Sequence, residues 1–339
     1  MDVSGITYGS DISGLVWGFL FEHDKTAVTP VGANVALGHL NGDLSQDTAF
    51  IWLHFNLSNA ASEKWLRSNL KLSDEFYESL HQGSRSTRIE VADDSLIGVV
   101  NDVRHDFSYD APDTSALWIH VTQNLVVSAR RAPLQSVERL RQAVMQGEPI
   151  RSSVELLIHL LRDQADVLAR IVRDAVEQID NIEDSLLAGR LAHRRETLGV
   201  LRRVLVRLRR LLAPEPASLF RLLQKPPAWM ADADTQDLRQ STEEFSAELN
   251  DMSSLNERIK LLQEELAARV EEENGRSLFV LTIVTVLALP INIVAGLLGM
   301  NVGGVPLAQH PNGFWLVVAT VTGTTIAAGL ILARLQKRR

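Results

Sequence analysis

Thr282, Thr285 and Asn292 are the polar side chains of an otherwise apolar run, Leu278 to Met300, that holds no Asp, Glu, Lys, Arg or His. With Leu278, Leu289, Gly296 and Gly299 they recur at spacings of four, three, four, three, four and three. On a helix of about 3.6 residues per turn that spacing is a single face. An amide turned toward lipid is costly, so Asn292 must face protein or water. A wall of Thr, Leu, Asn and Gly can contact a hydrated ion without stripping it, and it lacks the buried ionisable groups of a proton relay. The same pattern suits a helix–helix interface of small and polar residues, and periodicity alone leaves both readings open. Other chemistry is sparse. The chain has no Cys, which excludes disulfides, thiolate metal sites and a Cys nucleophile. It has no Gly-rich phosphate loop and no nucleophile–base signature, so neither catalysis nor a bound cofactor is expected. The nine His residues are scattered. His310 is the one near the outer end of the run, either a transient cation contact or a solvated loop residue.

The elements that position this face follow from the flanking sequence. A run of about 20 apolar residues at about 1.5 Å rise spans a hydrocarbon core of about 30 Å. Leu278–Met300 is one such run and Phe314–Ala333 a second, joined by a loop over 301–313 without formal charge. They predict two transmembrane helices. Arg276 precedes the first and a basic tail, Arg334 to Arg339, follows the second, so both termini are expected on the cytoplasmic side and the loop outside. The first residues show no basic and apolar leader. Two helices cannot enclose a wet path, so a pore requires several copies around an axis, each residue repeated as a ring. Pro290 frees a backbone carbonyl inside the first span, tolerable beside a partner or a wet cavity.

The 339 residues carry a net charge of −8, against a general nucleic-acid binder. Residues 1–150 read as an α/β domain. Strand-like runs lie at 14–21, 49–55, 86–92, 95–100, 117–121 and 125–129, with a turn at Asp93-Asp94 and short helices at 62–69, 74–81 and 136–146. Residues 151–277 read as a helical hairpin followed by a stalk helix. The hairpin turns near Gly189. Its first arm ends in acids (Glu177, Asp180, Glu183, Asp184) and its second is rich in Arg, as two solvated faces that attract one another. Prolines at 214, 216, 226 and 227 break the pattern. It resumes at about Thr235 and runs without a strong stop to Met300, a helix on the order of 100 Å that needs helical neighbours. Stalk acids such as Glu243, Glu244, Asp251 and Glu257 could concentrate cations or be plain solvated charges.

The first span ends Ala288-Leu289-Pro290-Ile291-Asn292-Ile293-Val294-Ala295-Gly296-Leu297-Leu298-Gly299-Met300-Asn301. In that position, after a stalk and an α/β start and before a second span, Gly-Met-Asn resembles the hallmark of the CorA family of divalent-cation transporters. The resemblance implies a homopentamer in the inner membrane, shaped as a funnel, with its pore lined by the first membrane helix. It implies that Gly299, Met300 and Asn301 form the outer selectivity filter, that Asn292 forms a second polar ring, and that both Asn rings meet the cargo transiently as a hydrated ion. Lys337, Arg338 and Arg339 correspond to a basic collar. The loop continues Val302-Gly303-Gly304-Val305-Pro306 without an acid, which is similar to the ZntB branch of the family. Zn2+ is therefore the expected cargo. Mg2+ or Co2+/Ni2+ passage through the same fold is the alternative, and a membrane-anchored sensor is the reading from another class.

Overall fold

A computed structural model describes residues 9–22, 28–41, 49–82, 87–107, 114–188, 194–300 and 311–336. The expected turn at Gly189, Asn301 and His310 of the outer loop, and Lys337, Arg338 and Arg339 lie outside the described residues. The elements run β1 (Leu15–Glu22), β2 (Thr29–Pro30), α1 (Ala33–Asn41), β3 (Ala49–Asn56), α2 (Ala61–Asn69), α3 (Asp74–Gln82), β4 (Arg88–Ala92), β5 (Ser95–Val103), β6 (Thr114–Val121), β7 (Leu125–Arg130), α4 (Gln135–Met145), α5 (Ser153–Leu187), α6 (Arg194–Leu212), α7 (Pro214–Gln224), α8 (Asp232–Leu298) and α9 (Gly313–Gln336).

The strands form one seven-stranded sheet in the order β2-β1-β3-β7-β6-β5-β4. Only the central β3–β7 pair is parallel. Asp93 and Asp94 turn the β4–β5 hairpin with φ of 46° and 58°. Positive φ at both central residues is the turn that matches strand twist, and Asp tolerates it. Strand periodicity sorts side chains onto two cores. Phe50 and Trp52 of β3 point to one face; Ile51, Leu53 and Phe55 point to the other. The first face packs under α4, α5, α7 and the start of α8, through Leu140, Leu157, Leu219 and Leu238. The second packs under α1, α2 and α3, through Ala36, Leu66 and Phe76.

The chain divides into two compact units, residues 1–263 and 264–339. In the first, α5, α6 and the early part of α8 bury Ile171, Ile179, Leu201, Leu208, Phe245 and Ile259, each at helical spacing. The start of α5 is fixed by Ser152, whose hydroxyl accepts from Glu155 N at 2.9 Å, while the Glu155 carboxylate accepts from Arg151 N. The acids at the end of α5 do not simply face the arginines of the second arm. Arg258 of α8 donates to Asp180 Oδ1 at 2.6 Å and to Glu183 Oε1 at 2.9 Å, because its position on α8 points at α5. The proline cluster after α6 is also more than a break. Pro214 opens α7 at its first position, where a missing N–H costs nothing.

In the second unit α8 continues through Asn274-Gly275 without a stop, as the sequence suggests, and ends at Leu298, two residues short of Met300. With its earlier part it is a single helix of 67 residues. No residue of the apolar window of α8 is buried in the single chain, and few of that of α9 are. A continuous apolar surface of that extent must be covered by lipid or by other copies of the chain.

Candidate functional site

Leu278, Thr282, Thr285, Leu289, Asn292 and Gly296 all lie on α8 within its apolar window and are exposed. The regular helix brings them together on one face, as their spacing predicts. Gly299 and Met300 follow in the turn that ends the helix, where Gly299 N donates to Ala295 O at 3.0 Å.

The polar groups on this face have a defined sense. Thr282 Oγ donates to Leu278 O at 2.8 Å and Thr285 Oγ donates to Leu281 O at 2.8 Å. Each hydroxyl proton is thus used inside the helix, and what remains outward is a pair of oxygen lone pairs. Water held around a cation turns its hydrogens outward, so a wall that greets a hydrated cation needs acceptors. Thr282, Thr285 and the Asn292 amide oxygen supply them, and an amide oxygen is a suitable ligand for a hard cation. Pro290, inside the helix, has no N–H to give to the carbonyl of Val286, which adds a further acceptor beside the stripe.

The glycines differ in what they leave room for. A Cβ built on Gly296 meets nothing within 4 Å, whereas one on Gly299 comes within 3.0 Å of the Ala295 carbonyl. At Gly299 an added Cβ would press on the chain's own turn. At Gly296 the single chain makes no such demand, so the space belongs to whatever adjoins the face. On the far span, Thr320 and Thr324 of α9 donate in the same way to Leu316 O and Thr320 O, at 2.9 and 3.0 Å. Phe314 and Trp315, at the start of α9, are 72% and 70% exposed, as suits an aromatic anchor at a membrane interface.

Acids precede the stripe. Glu264, Glu271, Glu272 and Glu273 are exposed on α8, and Glu265 pairs with Arg269 at 2.6 Å. Further back, partial burial and the charge of Asp251 push the Glu248 carboxyl up. Among the described residues no group of three or more His, Cys, Asp or Glu is arranged to hold a metal ion. Two buried carboxyl groups escaped the sequence reading, Asp102 of β5 and Glu215 of α7. Glu215 sits between Pro214 and Pro216, which in the sequence reads as a surface turn.

Residues 47–337 match the family model described as CorA-like Mg2+ transporter protein. The chain is 27% identical over 329 residues to the divalent cation transporter CmaX of Pseudomonas aeruginosa, which spans 96% of this chain and 97% of that protein. It is 23% identical over 291 residues to the zinc transport protein ZntB of Pectobacterium carotovorum, with 86% of each covered. Among solved structures, full-length CmaX superposes with a TM-score of 0.79 at 26% identity, over 97% of this chain and 99% of that one.

Proposed function

The chain belongs to the family of CorA-like Mg2+ transporter proteins, and from that premise we propose that it carries Zn2+ across the inner membrane through a homopentameric pore. In this reading α8 lines the pore, with Thr282, Thr285 and Asn292 facing the axis and Leu278, Leu289 and Gly296 between them. Gly299, Met300 and Asn301 form the outer filter, and Asn301 and Asn292 present two rings of amide oxygens to a hydrated ion. Both termini lie in the cytoplasm, with Lys337, Arg338 and Arg339 as a basic collar and His310 at the outer mouth. The observation that carries the reading is the acceptor-bearing, charge-free face of α8, exposed along its length in the single chain.

Zinc is favoured over magnesium by the neutral loop after the tripeptide, Val302-Gly303-Gly304-Val305-Pro306, and by the zinc transport proteins among the relatives. The second reading is Mg2+ or Co2+/Ni2+ passage, favoured by the magnesium transporters that name the family. Cation flux into proteoliposomes decides between them when Zn2+, Mg2+, Co2+ and Ni2+ are compared with and without a pH gradient. Zinc flux that is lost in Asn301→Ala, with assembly intact, supports the reading. Full flux in that variant removes the filter, and magnesium flux without zinc flux moves the assignment to the second reading.

A further inference from the structure

We propose that the docking of α7 on the sheet is a proton-dependent latch, fastened while Glu215 carries a proton and loosened when Glu215 gives it up. The latch belongs to the first unit, residues 1–263, and holds or fails independently of what passes along the apolar part of α8.

Asp102 and Glu215 are both buried, at 2% and 0% exposure, yet their surroundings are opposite. Asp102 accepts from Val103 N at 2.7 Å and, at one oxygen, from Ser136 N at 3.2 Å and the Ser136 hydroxyl. Ser136 lies in the first turn of α4, which has no side-chain cap from its own preceding residue, Leu134. Asp102 therefore caps α4 from the neighbouring strand, the situation that best suits an ionised carboxylate. Among the described residues Glu215 has no donor at either oxygen. It too lies in the first turn of a helix, but Pro214 and Pro216 flank it and neither has an N–H. Two of the backbone donors that could steady an anion at a helix start are thereby removed.

The charged groups on the surrounding elements do not relieve Glu215. Among them are Glu90 of β4, Arg139 of α4, Asp163 of α5, Arg209 and Arg210 of α6, and Arg221 of α7, and none of these adds to the burial and the Asp102 charge that act on Glu215. Arg139 is taken by Asp163 and Asp166, Arg221 donates to Ser218, and Glu90, Arg209 and Arg210 are exposed. Burial first, and the charge of Asp102 in addition, push the Glu215 carboxyl well above the ordinary range. Asp102 is raised to about 6, by burial first and by Asp163 in addition, against the bonds from Ser136 and Val103. Near neutral pH the pair therefore divides its roles: Asp102 is ionised and Glu215 holds the proton.

The sign of the linkage follows. A carboxyl whose folded affinity for protons is raised favours the docked state fully at low pH, and that advantage falls as pH climbs from the ordinary carboxylate range toward the folded value. Undocking puts Glu215 in water, where it ionises. Across that window the opening constant of α7 grows up to about tenfold per pH unit. The remaining hold on α7 is apolar, through Leu219, Leu222 and Leu223, and is indifferent to pH.

The test uses the full-length protein in detergent. Amide hydrogen exchange over residues 214–224 is followed from about pH 6 to about pH 9 and normalised to intrinsic exchange rates. The infrared band of protonated carboxylic acid is read in the same samples. The latch predicts protection that falls with pH in the native chain and stays flat in Glu215→Gln, together with loss of an acid band at neutral pH in that variant. Asp102→Asn, which removes the repelling charge, is expected to shift loss of the band to lower pH and serves if Glu215→Gln does not fold. Protection that is flat in the native chain, equal slopes in native chain and Glu215→Gln, or no neutral-pH acid band overturns the latch.

Discussion

Replacing Thr282 and Thr285 by Val is the sharpest test of which way the α8 stripe faces. Val has the shape of Thr without the hydroxyl, so the helix surface is preserved. The two hydroxyl protons already bond to Leu278 O and Leu281 O at 2.8 Å, so each substitution removes one outward acceptor and no partner in a neighbouring element. If the acceptors meet the water shell of a passing cation, each loss costs about 1 kcal/mol, the net worth of an ordinary hydrogen bond. That is roughly fivefold in rate for one substitution and roughly thirtyfold for the pair. The assay is zinc entry into proteoliposomes loaded with a zinc-sensitive dye, at matched protein density. The internal control is Thr320→Val with Thr324→Val on α9, where the hydroxyls make the same helical bonds but lie on the other span. Those variants are expected to keep native flux. A stripe that faces lipid predicts the reverse of this pattern: unchanged flux in Thr282→Val/Thr285→Val and unchanged or increased stability. That result, or an equal loss in both pairs, would refute the assignment of the stripe to the ion path.

Two further outcomes follow from single positions. Gly296→Leu adds a side chain where a Cβ meets nothing within 4 Å, so the fold of one chain should be untouched while five copies close the proposed lumen. Flux is expected to vanish with the oligomer intact by light scattering, whereas loss of assembly with a cost of about 1–3 kcal/mol would mark a packed interface instead. Arg258→Met removes the bonds that tie α8 to Asp180 and Glu183. Because these acids are 55% and 33% exposed, the expected destabilisation is modest, about 1–2 kcal/mol, seen as a lower melting temperature and shrinking at high salt. An unchanged melting temperature at low salt would show that the cluster is only a surface contact.

What was legible in the sequence divides along physical lines. The strands of the sheet core were readable because aromatic and β-branched runs bounded by turn formers signal half-buried ribbons whatever lies next to them, and Asp93-Asp94 could take the turn the hairpin needs. The stripe on α8 was readable for the same reason: helical period survives any neighbour. β2, at two residues, escaped because it is too short to show a period; α1 is as long as α2 and α3 but escaped because its side chains divide less sharply into an apolar and a polar face. α7 escaped because Pro214 and Pro216 read as a stop, although a proline is harmless at the first turn of a helix. The bonds of Arg258 left no local trace in the sequence, since its partners lie 75 and 78 residues away.

Glu215 marks the limit most clearly. Between two prolines it has the composition of a surface turn, and a glutamate is almost never fully buried without a partner. Only the fold places it under β4 and within the field of Asp102, 113 positions earlier in the chain. The same reasoning separates the two sites by kind. A pore wall repeats a local pattern along one helix, so one sequence suffices to find it. A buried proton site is made by what the fold denies to a side chain, and denial of water or of N–H donors leaves no periodic trace. The pair Asp102 and Glu215 makes the point quantitative. Both are buried carboxyls, yet the one with three donors titrates near 6 and the one with none is driven well beyond the ordinary range. Donor supply, more than burial itself, decides which of them keeps its proton.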